Sequence, residues 1–355
     1  MTAEKRGATP LMGRMSNLVE PHLRTATILL TCLVLISTSV VVAAPGDDRA
    51  SQRSQLEAAS LMLRDHFAEV QARSRMAPGL QERIDGDLGE LSSGVRPYWM
   101  TDAMFADYEH YTALLDSSLV DQLGTGSYHD VGRVRGMDDV LFRSPADNSM
   151  QPMAVYVPAS YDPIRAAPLV VFLHGKTWTE NDVFATQSII RDAAERSGAI
   201  VVAPYARGDN QYVDPASSDV FAALDVAEHA FNVDCRRIYL AGHSMGGYGV
   251  FVVGPKHPER WSALLAVSGA MTTENQSTAL ASLTNVPVYL VWGSNDDYAP
   301  TGYFQRVVDI LKSAGIETHG SEHKGGRHAI VTIRQTFDEA WREMMRRSKP
   351  PGRGC

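Results

Sequence analysis

Basic charge is in short supply in this sequence. Its 33 Lys and Arg stand against 41 Asp and Glu, a net charge of −8. No long basic run occurs beyond a few arginines near the C-terminus (Arg342, Arg346, Arg347). That balance argues against a general nucleic-acid-binding protein. Cysteine is scarcer still: three residues, too few for a disulfide framework. Cys32 lies inside an apolar run, which leaves Cys235 and Cys355 as a pair that an oxidising compartment would allow to join. Neither thiol is assigned catalytic work. Long uncharged apolar runs are limited to one, residues 26–44 (ATILLTCLVLISTSVVVAA), preceded by Arg24. A basic flank, an apolar stretch and small terminal residues read as a secretory signal cleaved after Ala43 or Ala44. The alternative is an uncleaved membrane anchor, since 19 residues nearly span a bilayer, although five Ser/Thr weaken that reading. The expectation is a secreted or periplasmic protein, with membrane contact only if residues 1–44 are retained. No internal repeat and no low-complexity tract is visible.

What is present is a globular composition, 44% hydrophobic and 21% charged, sufficient for a large core. Residues 46–56 are polar and read as a linker. Residues 56–76 and 98–123 have helical patterns, the first stopped by Pro78 and Gly79. Residues 45–127 are therefore expected to form a helical N-terminal extension. From residue 128 to 348 strands and helices alternate. Short apolar runs at 153–159, 168–175, 199–204, 237–242, 263–269 and 287–293 read as strands, most of them buried on both faces. A last strand is expected at 316–323, and helices at 182–198, 218–231 (Ser218 or Asp219 near its cap), 246–257, 302–314 and 330–347. The alternation predicts an α/β fold, a mainly parallel sheet with helices on both faces. Residues 349–355 form a tail.

The sharpest chemical signal is Gly242-His243-Ser244-Met245-Gly246, a G-x-S-x-G match preceded by the strand RIYLAG and followed by a helix. A serine lifted on a tight strand-to-helix turn needs small neighbours, and the helix N-terminus beneath it favours developing negative charge. Serine also needs a base. His328, in KGGRHAI after the last strand, is favoured over His323 because a glycine turn frees it to be aimed. The base needs an orienting carboxylate, and the loop Ser294-Asn295-Asp296-Asp297 after PVYLVWG offers Asp296 ahead of Asp297. An oxyanion hole needs two backbone N–H donors. Met245 is one candidate, and the loop His174-Gly175-Lys176-Thr177-Trp178 supplies the other, Lys176 ahead of Thr177. His174 is read as bracing that loop.

Two further patterns are set aside. Gly175-Lys176-Thr177 lacks the upstream glycine of a phosphate-binding loop, since Val170 occupies its place. His319-Gly320-Ser321-Glu322-His323 matches H-x-x-E-H but lies at a strand end, whereas zinc ligation by that motif needs a helix. No cofactor and no metal is expected.

LHGK, AGHSMGGYG, GSNDDYAP and GGRH together resemble the secreted esterase and prolyl-oligopeptidase-like branch of the α/β-hydrolases, with feruloyl and acetylxylan esterases and polyhydroxyalkanoate depolymerases among its members. The resemblance covers about residues 150–345 and implies the α/β-hydrolase fold, with the order Ser, Asp, His. GSNDDYAP resembles that branch's G-x-x-D-x-x-V-P acid loop, which selects Asp296, with Ala299 in place of the valine. The implied function is an exported serine hydrolase cleaving small or polymeric carboxylic esters through an acyl-enzyme. The alternatives are an exported serine peptidase, weakened because the N-terminal region is too short for a propeller, and a non-catalytic binding module, against which the intact Ser-Asp-His set argues. The short span between the strands at 263–269 and 287–293 leaves no room for a large lid and predicts an open site. Trp178, Tyr205, Tyr212, Tyr248 and Tyr298 are candidates for an aromatic substrate platform around it, competing with ordinary packing.

Overall fold

The computed structural model describes residues 61, 80–93, 95–96, 100–185 and 188–350. The apolar run at 26–44, the polar stretch 46–56, the helix expected at 56–76 (Leu61 apart), Cys32 and Cys355 lie outside the described residues.

Two helices come first, α1 (Leu80–Ser93) and α2 (Asp102–Thr125). The antiparallel strands β1 (Gly136–Arg143) and β2 (Met150–Val157) follow, and then the alternating part of the chain. It comprises β3 (Ala167–Leu173), α3 (Asp182–Ala185), α4 (Ser188–Ser197), β4 (Ile200–Pro204), α5 (Ala216–Ala230), β5 (Val233–His243) and α6 (Met245–Val253). It ends with β6 (Ala263–Val267), α7 (Thr273–Ser282), β7 (Val288–Gly293), α8 (Thr301–Ser313), β8 (Thr318–His323) and α9 (Arg334–Met344). The eight strands form one sheet in the order β1-β2-β4-β3-β5-β6-β7-β8. β1 runs antiparallel to β2 and β2 to β4, and the remaining pairs are parallel.

Burial on both faces explains why the central strands are continuous apolar runs. In β3, Leu169, Val171 and Leu173 enter the core shared with α5, α6, α7 and α8. Val170 and Phe172 point the other way, into the core under α3, α4 and α9. Side chains alternate across a strand, so one run of apolar residues supplies two cores. The parallel sheet places the C-terminal ends of β3, β5, β7 and β8 along one edge, where the following loops converge.

The extension has a core of its own against the sheet margin. Leu80, Ile84, Leu88 and Leu91 recur at helical spacing, are fully buried, and pack with Leu119, Val120 and Leu123 of α2 and with Leu141 and Met150 of the β1–β2 hairpin. Each such side chain contributes roughly 1.5–3 kcal/mol on burial. A polar cluster sits beside this apolar seam. The Arg83 guanidinium of α1 lies 2.6 Å from Asp116 of α2, 2.9 Å from Glu180, 3.5 Å from Asp87 and 3.7 Å from Asp139 of β1. Asn181 donates to Asp116 at 3.0 Å. Glu180 and Asn181 belong to the segment that follows the loop after β3, so this cluster ties the extension to the functional edge of the sheet.

Three elements were not foreseen from sequence: α1, β1 and α7. The helix expected to begin near Ser218 begins at Ala216, with Pro215 at its N-cap. Asp219 is no cap; it is buried, accepting from the Ser144 hydroxyl (2.5 Å) and Arg207 Nε (2.6 Å).

Candidate active site

Ser244 stands between β5 and α6 with φ 56° and ψ −115°, a conformation that L-residues rarely adopt. The two flanking glycines make the turn possible. A Cβ on Gly242 would come within 2.3 Å of the Gly246 carbonyl oxygen, and one on Gly246 within 2.0 Å of the Leu173 carbonyl oxygen. The Ser244 amide is held by the Val267 carbonyl at 2.8 Å. The turn and its hydrogen bond fix where the hydroxyl points.

The structure brings Ser244, His328 and Asp296 together. His328 Nε2 is 2.8 Å from Ser244 Oγ, and His328 Nδ1 is 3.0 and 2.9 Å from the two Asp296 carboxylate oxygens. The acid and base loops are laced to each other: the Asn295 amide donates to the Gly326 carbonyl (2.8 Å) and the Gly325 amide to the Ser294 hydroxyl (2.8 Å). Asp296 also accepts the amides of Tyr298 (2.9 Å) and Ala299 (3.0 Å). Burial alone would raise the Asp296 carboxyl. The hydrogen bond and charge of His328 and the two amides outweigh burial and hold the carboxyl below the usual carboxylate range. It therefore stays ionised, and its contact fixes the proton of the imidazole on Nδ1, so that Nε2 accepts from Ser244.

The competitors are occupied elsewhere. His323 Nδ1 meets the Thr336 hydroxyl at 2.7 Å, and Asp297 accepts from Arg327 Nε at 2.9 Å on the surface. His174 is buried, its two ring nitrogens 2.8 Å from the Gly175 carbonyl and 2.9 Å from the Tyr205 carbonyl. His319 pairs with Glu317 at 2.9 Å. Among the described residues no group of three or more His, Cys, Asp or Glu is arranged to hold a metal ion.

Met245 is the first residue of α6, so its amide has no acceptor within that helix. In the loop after β3, the Thr177 amide donates to Asp209 (2.7 Å) and the Trp178 amide to the Gly175 carbonyl (3.2 Å). Those bonds occupy Thr177, the second choice for an oxyanion donor, and leave Lys176 as the better one. Of the aromatic candidates, Tyr298 is exposed, and Trp178 and Tyr248 are partly so. Tyr205 and Tyr212 are corrected: both are buried. The Tyr205 ring stacks on His174 at 6.4 Å between centroids, and the Tyr212 hydroxyl donates to the His174 carbonyl at 3.0 Å. They shape the loop from behind, with little surface to offer a substrate.

The Esterase family model matches residues 144–341, more than half of the chain. The chain belongs to the Esterase family. That family of serine ester hydrolases lies within the α/β-hydrolase superfamily, and the fold agrees. A ferulic acid esterase structure matches with a TM-score of 0.52 at 21% identity, over 59% of this chain and 98% of that one. A thermostable esterase matches with a TM-score of 0.50 at 21% identity, over 59% and 63%. In sequence, this chain is 27% identical over 169 residues to the bifunctional acetylxylan esterase/xylanase of Neocallimastix patriciarum, covering 46% of this chain and 24% of that protein. It is 27% identical over 179 residues to the S-formylglutathione hydrolase of Bos taurus, covering 42% of this chain and 56% of that one. The chain thus spans about a quarter and just over half of the curated relatives it matches.

Proposed function

We propose that this esterase hydrolyses carboxylic esters with Ser244 as nucleophile, His328 as general base and acid, and Asp296 as the carboxylate that orients the base. The observation that carries this reading is the continuous contact from Asp296 through His328 to Ser244 Oγ. His328 takes the hydroxyl proton as Oγ attacks the ester carbonyl. The resulting oxyanion accepts hydrogen bonds from the amides of Met245 and Lys176, which need no reorganisation when charge develops. His328 then passes its proton to the leaving alcohol. Water, deprotonated by the same imidazole, releases the acid from the acyl-enzyme. Trp178, Tyr248 and Tyr298 offer aromatic surface to a small or polymeric ester, and Tyr298 lies nearest the base. No cofactor enters the scheme.

An extracytoplasmic location is part of the proposal. It is supported by the leader-like run at 26–44 and by Cys235, which is disulfide-bonded. Among the described residues no helix is long and apolar enough to cross a membrane.

The test is a fluorophosphonate probe applied to the full-length chain beside Ser244→Ala, read with p-nitrophenyl acetate turnover. Labelling and turnover that both vanish in the variant are expected. A folded wild-type chain that neither labels nor turns over would sink the reading.

A further inference from the structure

His243, the middle residue between Gly242 and Ser244, is the least explained side chain of the site. It ends β5, is 3% exposed, and its ring is in contact with two others. Trp178, from the loop after β3, lies 5.2 Å away between ring centroids (33° between planes), and His328 also lies 5.2 Å away (52°). Its Nε2 is 2.9 Å from the main-chain carbonyl oxygen of His328. A carbonyl only accepts, so Nε2 carries the hydrogen. In the neutral ring Nδ1 is then a bare lone pair, and that atom is buried with no hydrogen-bond partner among the described residues. An unpaired buried acceptor costs stability. An apolar ring of similar size would fill the same space without that cost, so packing alone does not account for an imidazole here.

We propose that His243 is a positioning residue for the base: its Nε2–H holds the backbone of His328, while its uncharged ring joins the loop bearing Lys176 to the loop bearing His328. The inference rests on the assignment of His328 as base. Absence of charge is part of the role. Burial, and then the neighbouring His328, depress the His243 pKa to about 3, so the ring stays neutral wherever the esterase works. When the Ser244 proton moves to His328, the new imidazolium forms beside a neutral ring. A lysine or arginine could supply the same hydrogen bond but would repel that cation. A neutral donor fixes the backbone without opposing the proton transfer. The geometry matters because displacement of a catalytic group by about 1 Å lowers rates on the order of 100-fold.

The experiment compares wild type, His243→Phe and His243→Gln as full-length chains, with circular dichroism to verify folding. The phenylalanine keeps a ring without the donor; the glutamine keeps a neutral donor within reach. For His243→Phe, kcat is expected to fall about 10- to 100-fold with KM within about threefold. The acid limb of kcat/KM should move to lower pH, because a looser imidazole gains less from Asp296. His243→Gln should recover kcat to within about fivefold of wild type and restore the limb. A merely structural histidine would give two variants that fall alike; that result, or a His243→Phe with unchanged kcat and pH profile, overturns the proposal. Should the variants misfold, wild type decides by nitrogen-15 NMR of labelled histidines, with His243 assigned through contacts to Trp178. One imidazole with a protonated Nε2 and a bare Nδ1, unchanged from pH 5 to 8, is expected. A His243 that titrates in that range, or carries its proton on Nδ1, overturns the proposal. Failure of the triad itself would show separately, as a wild-type chain that does not label with fluorophosphonate.

Discussion

The ring of Tyr298 lies 4.5 Å, centroid to centroid, from that of His328, and Tyr298 is 82% exposed. Its amide is also held by Asp296 at 2.9 Å. Removing the ring should therefore leave the Ser244, His328 and Asp296 contacts in place while stripping aromatic surface beside them. For Tyr298→Ala we expect KM for an aromatic acyl ester such as methyl cinnamate to rise about 3- to 10-fold, the worth of one aromatic contact. KM for methyl butyrate should change less than twofold on the same grounds. Steady-state kinetics on the two esters checks it; equal effects on both would remove Tyr298 from substrate contact.

The adjacent acids of the loop after β7 should separate sharply. Asp296 is the partner of His328, and Asp297 pairs with Arg327 on the surface. Asp296→Asn should lower kcat by about 100- to 10,000-fold, because the amide lets the imidazole take the wrong tautomer. Asp297→Asn should stay within about threefold of wild type, as expected for an exposed pair. Kinetics of the two variants side by side decides the assignment.

Among the described residues Arg83 is the only arginine paired with the four carboxylates of its cluster, and its side chain is 1% exposed. Arg83→Met removes that cation and leaves like charges buried together. A loss of about 3–5 kcal/mol in unfolding free energy is expected. Arg96→Met, at a pair exposed on both sides, should change stability by less than about 1 kcal/mol. Denaturant titrations of both variants make the comparison.

The same cluster fixes the sign of a pH effect. Burial, with Glu180 adding repulsion and Arg83 opposing, lifts the Asp116 carboxyl to about 6 from 3.8. The folded chain then holds a proton that the unfolded chain releases. Stability from this group is fully present below pH 3.8 and is lost as pH rises through about 6. Asp87 and Asp139, also raised chiefly by burial, push in the same direction. The free energy of unfolding should fall between pH 4 and pH 6.5 by on the order of 2 kcal/mol from Asp116. Asp116→Asn should show a shallower decline, as measured by urea titration at several pH values.

The edge that carries Ser244, Asp296 and His328 is legible in the sequence because its signals are local. G-x-S-x-G needs only five residues, and the buried strands announce themselves as apolar runs. The same locality explains the misses. β1 carries Asp138 and Asp139 in mid-strand, which breaks the apolar pattern. Asp139 is tolerated because Arg83, far away in the chain, reaches it. α1 did show a stripe, Leu80, Ile84, Leu88 and Leu91, but it follows Pro78 and Gly79 and contains Gly86 and Gly89, which mask a helix. α7 had a readable start in the Thr272–Asn275 capping box, with asparagine where glutamate or glutamine is usual. For Tyr205 and Tyr212 the packing alternative holds, since both are buried, and sequence position near a site does not say which way a ring turns. His243 lay inside the motif but gave no sign of its role, which depends on a carbonyl 85 positions away.

The cluster around Arg83 also bears on how far the helices α1 and α2 can be separated from the rest of the chain. Glu180 lies in the part of the chain that the family model matches, and Asp139 just before it, and both are fully buried against helices that the match does not include. Clipping off α1 and α2 would bare an apolar seam and two acids that Arg83 otherwise faces. Loss of the extension would therefore have to be matched by changes at the residues it covers, Leu141 and Met150 in the seam and Asp139 and Glu180 beside it.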